Sequence, residues 1–184
     1  MSVLTKGFAA ERGSELALAD DVGQLTFAEL DARINQTVHA LRAAGVAEGD
    51  TIALVLGNCN EWFITAMACA NTGVTHVPVN WHLVAPEIAY ILNDCGAKLV
   101  LAGHQFVDEV AKALDRPESA SVSNALVVGA PSDDRFTNFD DFVDPHSSDE
   151  PENQSFGGPM FYTSGTTGNP KGVKSSLSAM EPGT

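Results

Sequence analysis

Apolar and polar residues change rhythm repeatedly along the chain, and each change marks an element. From Thr26 onward, Phe27, Leu30, Ile34, Val38 and Leu41 recur every three or four residues and lay one apolar stripe along a helix. Thr26 and Glu29 stand at capping-box spacing at its start, and Gly45 can close its end. Just before it, "ELALADDVGQLT" (15–26) alternates around Asp-Asp-Val-Gly and predicts a short hairpin. The next run, "TIALVL" (51–56), is apolar without alternation, as in a strand covered on both faces. "NEWFITAMACANTG" (60–73) is apolar nearly all round and predicts a buried helix ended by Gly73. "VTHVPVN" (74–80) reads as a second strand that ends or bends at Pro78. "APEIAYILNDCG" (85–96) is a helix with Pro in its first turn and Gly after its last. "KLVLAG" (98–103) predicts a third strand, "HQFVDEVAKAL" (104–114) a helix, "ALVVG" (125–129) a fourth strand and "PMFYTS" (159–164) a fifth.

Strands alternating with helices at this spacing imply right-handed crossovers, hence an α/β fold: a mainly parallel sheet with helices on both faces. At 184 residues the chain is long enough for one such domain, and 44% hydrophobic residues is ordinary for a globular one. No run reaches the ~18 apolar residues of a membrane span, and "MSVLTKGFAAERGSE" lacks the apolar core of a signal peptide. Cys59, Cys69 and Cys95 show neither disulfide nor zinc spacing and read as small buried hydrophobes. These features predict a cytoplasmic protein. The five histidines show no ligand spacing, and Trp62 and Trp81 read as packing residues.

Charge changes the picture in one place. The net charge is −14, and Asp133, Asp134, Asp140, Asp141, Asp144, Asp149, Glu150 and Glu152 crowd one segment opposite a single base, Arg135. That segment, about 131–156, reads as a solvated loop, and its paired carboxylates as solvated rather than poised for acid–base work. So acidic a chain repels nucleic-acid phosphates.

The candidate chemistry sits behind the fifth strand, in "TSGTTGNPKG" (163–172). Open α/β sheets bind ligands outside the carboxyl ends of their strands. Gly165 and Gly168 let consecutive N–H groups turn toward one concavity, Thr163, Ser164, Thr166 and Thr167 add short hydroxyl donors, and Lys171 adds a full positive charge. Such a set suits a polyphosphate. A flexible linker needs neither the Lys nor the apolar strand ahead of it. A Walker A loop also places a Lys at this distance from Gly165. Here, however, Pro170 has no N–H to give, Gly172 has no hydroxyl for a metal, and Gly172-Val173 looks extended rather than helical.

"YTSGTTGNPKGV" (162–173) resembles the signature loop of the adenylate-forming enzymes, the superfamily of acyl-CoA synthetases, peptide-synthetase adenylation domains and luciferases. "LTFAELDARINQTVHALRAAGVAEGDTIAL", "GNCNEWFITAMACANTGVTHVPVN" and "EIAYILNDCGAKLV" resemble its fatty acid–CoA ligases, so the likeness covers all but the acidic segment and the last ten residues. It implies a partial N-terminal AMP-binding domain over 1–184, with ATP, Mg²⁺ and coenzyme A as reaction partners of a fatty or related carboxylic acid. It also implies that Thr163, Ser164, Gly165, Thr166, Thr167, Gly168, Lys171 and Gly172 hold the β- and γ-phosphates. Thr166, Thr167 and Lys171 would do so by side chains, and Gly165 and Gly168 through the backbone. The family's acid pocket, ribose-binding acid, Mg²⁺-holding Glu and C-terminal catalytic Lys lie beyond this loop and have no counterpart here. Leu177 stands where relatives often carry a His. The expectation is thus the N-terminal part of an AMP-forming acid–CoA ligase, with self-association through an unfinished face. The alternative is a catalytically inert chain that keeps a phosphate-binding loop, or a subunit completed by another chain.

Overall fold

The computed structural model describes residues 3–163 and 170–174, with side chains from Thr5 onward. Helix α1 (Val3–Arg12) leads into a hairpin of β1 (Leu16–Ala19) and β2 (Gln24–Thr26), and then α2 (Phe27–Ala43) begins. Alternating elements follow: β3 (Thr51–Val55), α3 (Asn60–Ala70), β4 (Thr75–Pro78), α4 (Ala85–Cys95), β5 (Ala97–Gly103), α5 (Val107–Leu114) and β6 (Asn124–Val128). The described chain closes with β7 (Thr137–Asn138), α6 (Phe139–Val143), β8 (Gly158–Thr163) and β9 (Lys171–Lys174). The main sheet runs β7-β6-β5-β3-β4-β8-β9, parallel throughout except for the last pair. The expected α/β architecture is therefore observed.

Side-chain alternation along the central strands divides the interior in two. Ile52, Leu54, Leu99, Leu101 and Leu126 meet Ile34, Val38 and Leu41 of α2, Ile64 of α3 and Phe139 of α6. Their sequence neighbours Ala53, Val55, Val100, Ala102 and Val127 face the other way, onto Ile88 and Leu92 of α4 and Val110 of α5. The apolar stripe of α2 is buried as its spacing requires. At its start the Thr26 hydroxyl accepts from the Glu29 N–H at 3.3 Å and the Glu29 carboxylate from the Thr26 N–H at 2.8 Å.

The carboxylates of the acidic segment are exposed, as expected, but the segment is not the loop expected of it. Its middle forms β7 and α6, with Phe139 and Val143 buried beneath them. The Asn138 side chain caps α6, accepting from the Asp140 and Asp141 N–H groups at 2.8 and 3.2 Å. Helix α2 supplies the opposite charge. Arg33 pairs with both Asp140 and Asp144 and lies over the Phe139 ring, while Arg42 donates to the carbonyls of Glu152 and Asn153 at 2.7 and 2.9 Å. Carboxylates spaced four apart on a short helix thus meet one guanidinium, which offsets their mutual repulsion.

Beyond that segment the chain crosses the end of α3 and enters β8. The Gly157 N–H donates to Ala70 O at 3.1 Å, and a Cβ at Gly157 would stand 2.2 Å from both Cys69 O and Val74 O. Only glycine lets the backbone pass so close. Gly157→Ala is expected to lower the unfolding free energy by ~3 kcal/mol or more, since the obstacles are backbone atoms that side-chain rotation cannot clear. Urea unfolding of the two proteins checks this; a midpoint shift within error would mean that the backbone yields.

Candidate functional site

Of the phosphate-loop candidates, Thr163, Lys171 and Gly172 lie on the β8–β9 hairpin at the edge of the sheet. Strand β8 pairs with β4 only at Gly158 and Pro159, and its outer residues pair antiparallel with β9, setting Phe161 opposite Val173, Tyr162 opposite Gly172 and Thr163 opposite Lys171. Thr163 and Lys171 are therefore brought together as the last rung below the turn, both exposed. Ser164, Gly165, Thr166, Thr167 and Gly168 lie outside the described residues. The antiparallel return through Lys171–Lys174 replaces the helix that a Walker loop would need at this point. Among the described residues Lys171 has no ion-pair partner, so its ammonium is available to an anion at the mouth of the hairpin.

Two tyrosines tie this stem to α4, and the sequence pattern pointed to neither. The Tyr90 hydroxyl donates to Pro170 O at 3.0 Å, and the Tyr162 hydroxyl to Asp94 Oδ2 at 2.5 Å. Burial, and then the hydrogen bond to Asp94, push the Tyr162 phenol well up, so it remains a donor. Gly172 leaves room for that ring: a Cβ there would lie 3.1 Å from Met160 and 3.2 Å from the Tyr162 ring.

A separate crevice of about 730 Å³ opens at the carboxyl ends of β3, β5 and β6, walled by Leu56–Cys59, Gly103–Phe106 and Val128–Pro131. This is a topological switch point, because α3 leaves β3 on one face and α5 leaves β5 on the other. It contains none of the loop residues, and its chemistry opposes a polyphosphate. Asp20, Asp21, Glu61 and Asp140 line it, and Asp20 already occupies the start of α3, accepting from the Asn60 N–H at 2.8 Å. Burial works against the Asp20 carboxylate, but N–H donors from Asn60, Gly23 and Val22 hold it below its ordinary range.

Among the described residues no group of three or more His, Cys, Asp or Glu side chains could hold a metal ion, and no helix is long and apolar enough to cross a membrane. Burial pushes the Cys59 and Cys95 thiols up to about 11, and Cys69 further, so all three stay protonated. Trp62 packs edge-on to His76, whereas Trp81, expected to be a packing residue, stacks on Phe106 but stays 43% exposed.

The family model for AMP-binding enzymes matches residues 6–180. The chain belongs to that family. It is 36% identical over 151 residues to a fatty acid–[acyl-carrier-protein] ligase of Streptomyces coeruleorubidus, covering 81% of this chain and 27% of that protein. It is 33% identical to a long-chain-fatty-acid–CoA ligase of Mycobacterium tuberculosis, covering 82% of this chain and 29% of that one. In the crystal structure of an anthranilate CoA ligase in complex with anthranoyl-AMP, 96% of this chain and 34% of that one superpose with a TM-score of 0.88 at 25% identity. A putative long-chain-fatty-acid CoA ligase from Rhodopseudomonas palustris gives 0.81 at 30% identity, over 94% of this chain and 43% of that one. The chain thus spans less than a third of the length of the curated relatives it matches.

Beside the root of the hairpin lies His76, paired in register with Pro159 and 7% exposed. Its Nδ1 finds no partner among the described residues, and burial pulls the imidazole down to about 4 from 6.5. The unfolded chain protonates near 6.5 and the folded one only near 4, so protons favour unfolding throughout that window. Stability is expected to fall as pH drops from above 6.5 toward 4, by up to about 3 kcal/mol from this group alone. Urea midpoints measured between pH 7.5 and 4.5 should show this slope, and His76→Leu should flatten it. An equal slope in the variant would assign the pH dependence elsewhere.

Proposed function

We propose that this chain is the N-terminal, phosphate-holding part of an AMP-forming acid–CoA ligase that acts on fatty or related carboxylic acids. The observation that supports it best is the β8–β9 closure, which joins Thr163 to Lys171 at the base of the Ser/Thr/Gly-rich turn and leaves the ammonium exposed there. The relatives' names share a carboxylic acid as substrate, while the thiol they name differs between coenzyme A and an acyl-carrier protein. Coenzyme A is the acceptor we assign here.

In the proposed reaction a carboxylate oxygen attacks the α-phosphorus of ATP. The bond from that phosphorus to the oxygen bridging the β-phosphate breaks, and pyrophosphate leaves with the electron pair. The acyl-adenylate then yields its acyl group to the thiolate of coenzyme A, and AMP departs. Carboxylate oxygen is a poor leaving group and AMP a better one, which is why the first exchange enables the second. Lys171 and the donors of Thr163, Ser164, Thr166, Thr167, Gly165, Gly168 and Gly172 would hold the β- and γ-phosphates and stabilise the charge that grows as pyrophosphate separates. Mg²⁺ would neutralise phosphate charge when bound. The described residues contain no cluster to hold it, so its protein ligands are not assigned to them.

Two measurements test this reading. Calorimetric titration of the chain with inorganic triphosphate should show binding that Lys171→Ala weakens about tenfold or more, the share of one charge-assisted contact. In the ligase of which these residues form part, the same substitution should slow ATP–pyrophosphate exchange by roughly 10²–10³. Thioester formation from preformed acyl-adenylate should change far less. Equal loss in both half-reactions would indicate misfolding, and no loss in either would reduce the loop to a connector.

A further inference from the structure

An isolated two-stranded hairpin is marginal in water, and every residue of β9 is exposed. Its register within the hairpin is set by β8, but its direction relative to the sheet is not, because β4 stops pairing with β8 after Pro159. Met160 is buried in the core beside α4, and two hydrogen bonds from one face of that helix, where Tyr90 and Asp94 stand four residues apart, add to what fixes that direction. Tyr90 grips the carbonyl of Pro170, the residue directly before Lys171. Asp94 grips the hydroxyl of Tyr162, the residue directly before Thr163. The two contacts therefore bracket the Thr163–Lys171 rung, Tyr162 being one residue below it on the stem and Pro170 one residue above it on the loop side. Helix α4 is a rigid base for this: Ile88, Ile91 and Leu92 are fully or almost fully buried, and Gly96 ends it in the left-handed conformation.

We propose that Tyr90 and Asp94 are positioning residues that hold the stem of the phosphate loop against α4 and so set where Lys171 stands. The role rests on reading the turn as a phosphate cradle. The clamp itself does not, and the two can fail separately. Tyr90→Phe removes one hydroxyl and keeps the packed ring. Asp94→Ala removes the acceptor for Tyr162, whereas Asp94→Asn keeps an amide oxygen that can accept the same bond.

The experiment combines amide hydrogen exchange with triphosphate titration on the 184-residue chain and these three variants. In Tyr90→Phe and Asp94→Ala, exchange across Lys171–Lys174 should quicken and triphosphate affinity should fall, each about five- to tenfold. Exchange in β3 and β5 should stay as in the parent. Asp94→Asn should restore both readouts most of the way. Unchanged exchange and affinity in Tyr90→Phe would overturn the clamp, and so would faster exchange spread evenly through the sheet, which marks general destabilisation. If stem exchange responds but the parent chain binds no triphosphate, the cradle reading falls and the positioning role falls with it.

Discussion

In β3 every one of the five side chains is buried, so this strand has no face to give to water. A strand in that position must be roofed on both sides, and helices from successive crossovers do the roofing. Helices α2, α3 and α6 close one side and α4 and α5 the other, with Ile52 and Leu54 turned to the first and Ala53 and Val55 to the second. The order of strands follows from the same requirement. Strand β4 lies on one flank of β3 and β5 on the other, which leaves a crevice where their crossovers part and pushes β8 toward the sheet edge.

The crevice at the switch point and the β8–β9 hairpin differ in charge. The crevice at the switch point is where doubly wound sheets commonly take phosphates, but here carboxylates line it and Asp20 is fastened to the start of α3. The hairpin at the far edge carries Lys171 and Lys174 in a chain with only 10 bases in all. A polyanion would meet carboxylates at the crevice and exposed lysines at the edge hairpin. The acidic segment is tied to α2 by Arg33, which pairs with two of its carboxylates, and by Arg42, which binds two of its backbone carbonyls.

Elements whose signal is local were legible in the sequence. The stripe of α2, its capping box and the unbroken apolar runs of β3 and β5 are properties of adjacent residues, and they appear where expected. Lys171 and Gly172 were legible as the start of an extended return, since Gly172-Val173 reads as extended rather than helical. The fold of residues 139–153 was not, because a run of carboxylates, which do stay exposed, hides the buried Phe139 and Val143 and the distant Arg33 that organise it. Nor were Tyr90, Asp94 and His76. Tyr90 looks like one more residue of an amphipathic helix, and only the return of the chain brings Pro170 beneath its hydroxyl. His76 reads as a polar interruption of a strand until α3 and Trp62 cover it.

The short pairing of β8 with β4 also has a mechanical consequence. Four residues, Met160 to Thr163, extend past the last residue paired with β4, Pro159, and at ~3.3 Å per residue the Thr163–Lys171 rung stands roughly 13 Å from that root. Over such an arm a tilt of about 5° at the root displaces the tip by roughly 1 Å, which is enough to misalign a reacting group. Whatever fixes the angle of this arm therefore governs the reach of its end far more than anything altered at the end itself.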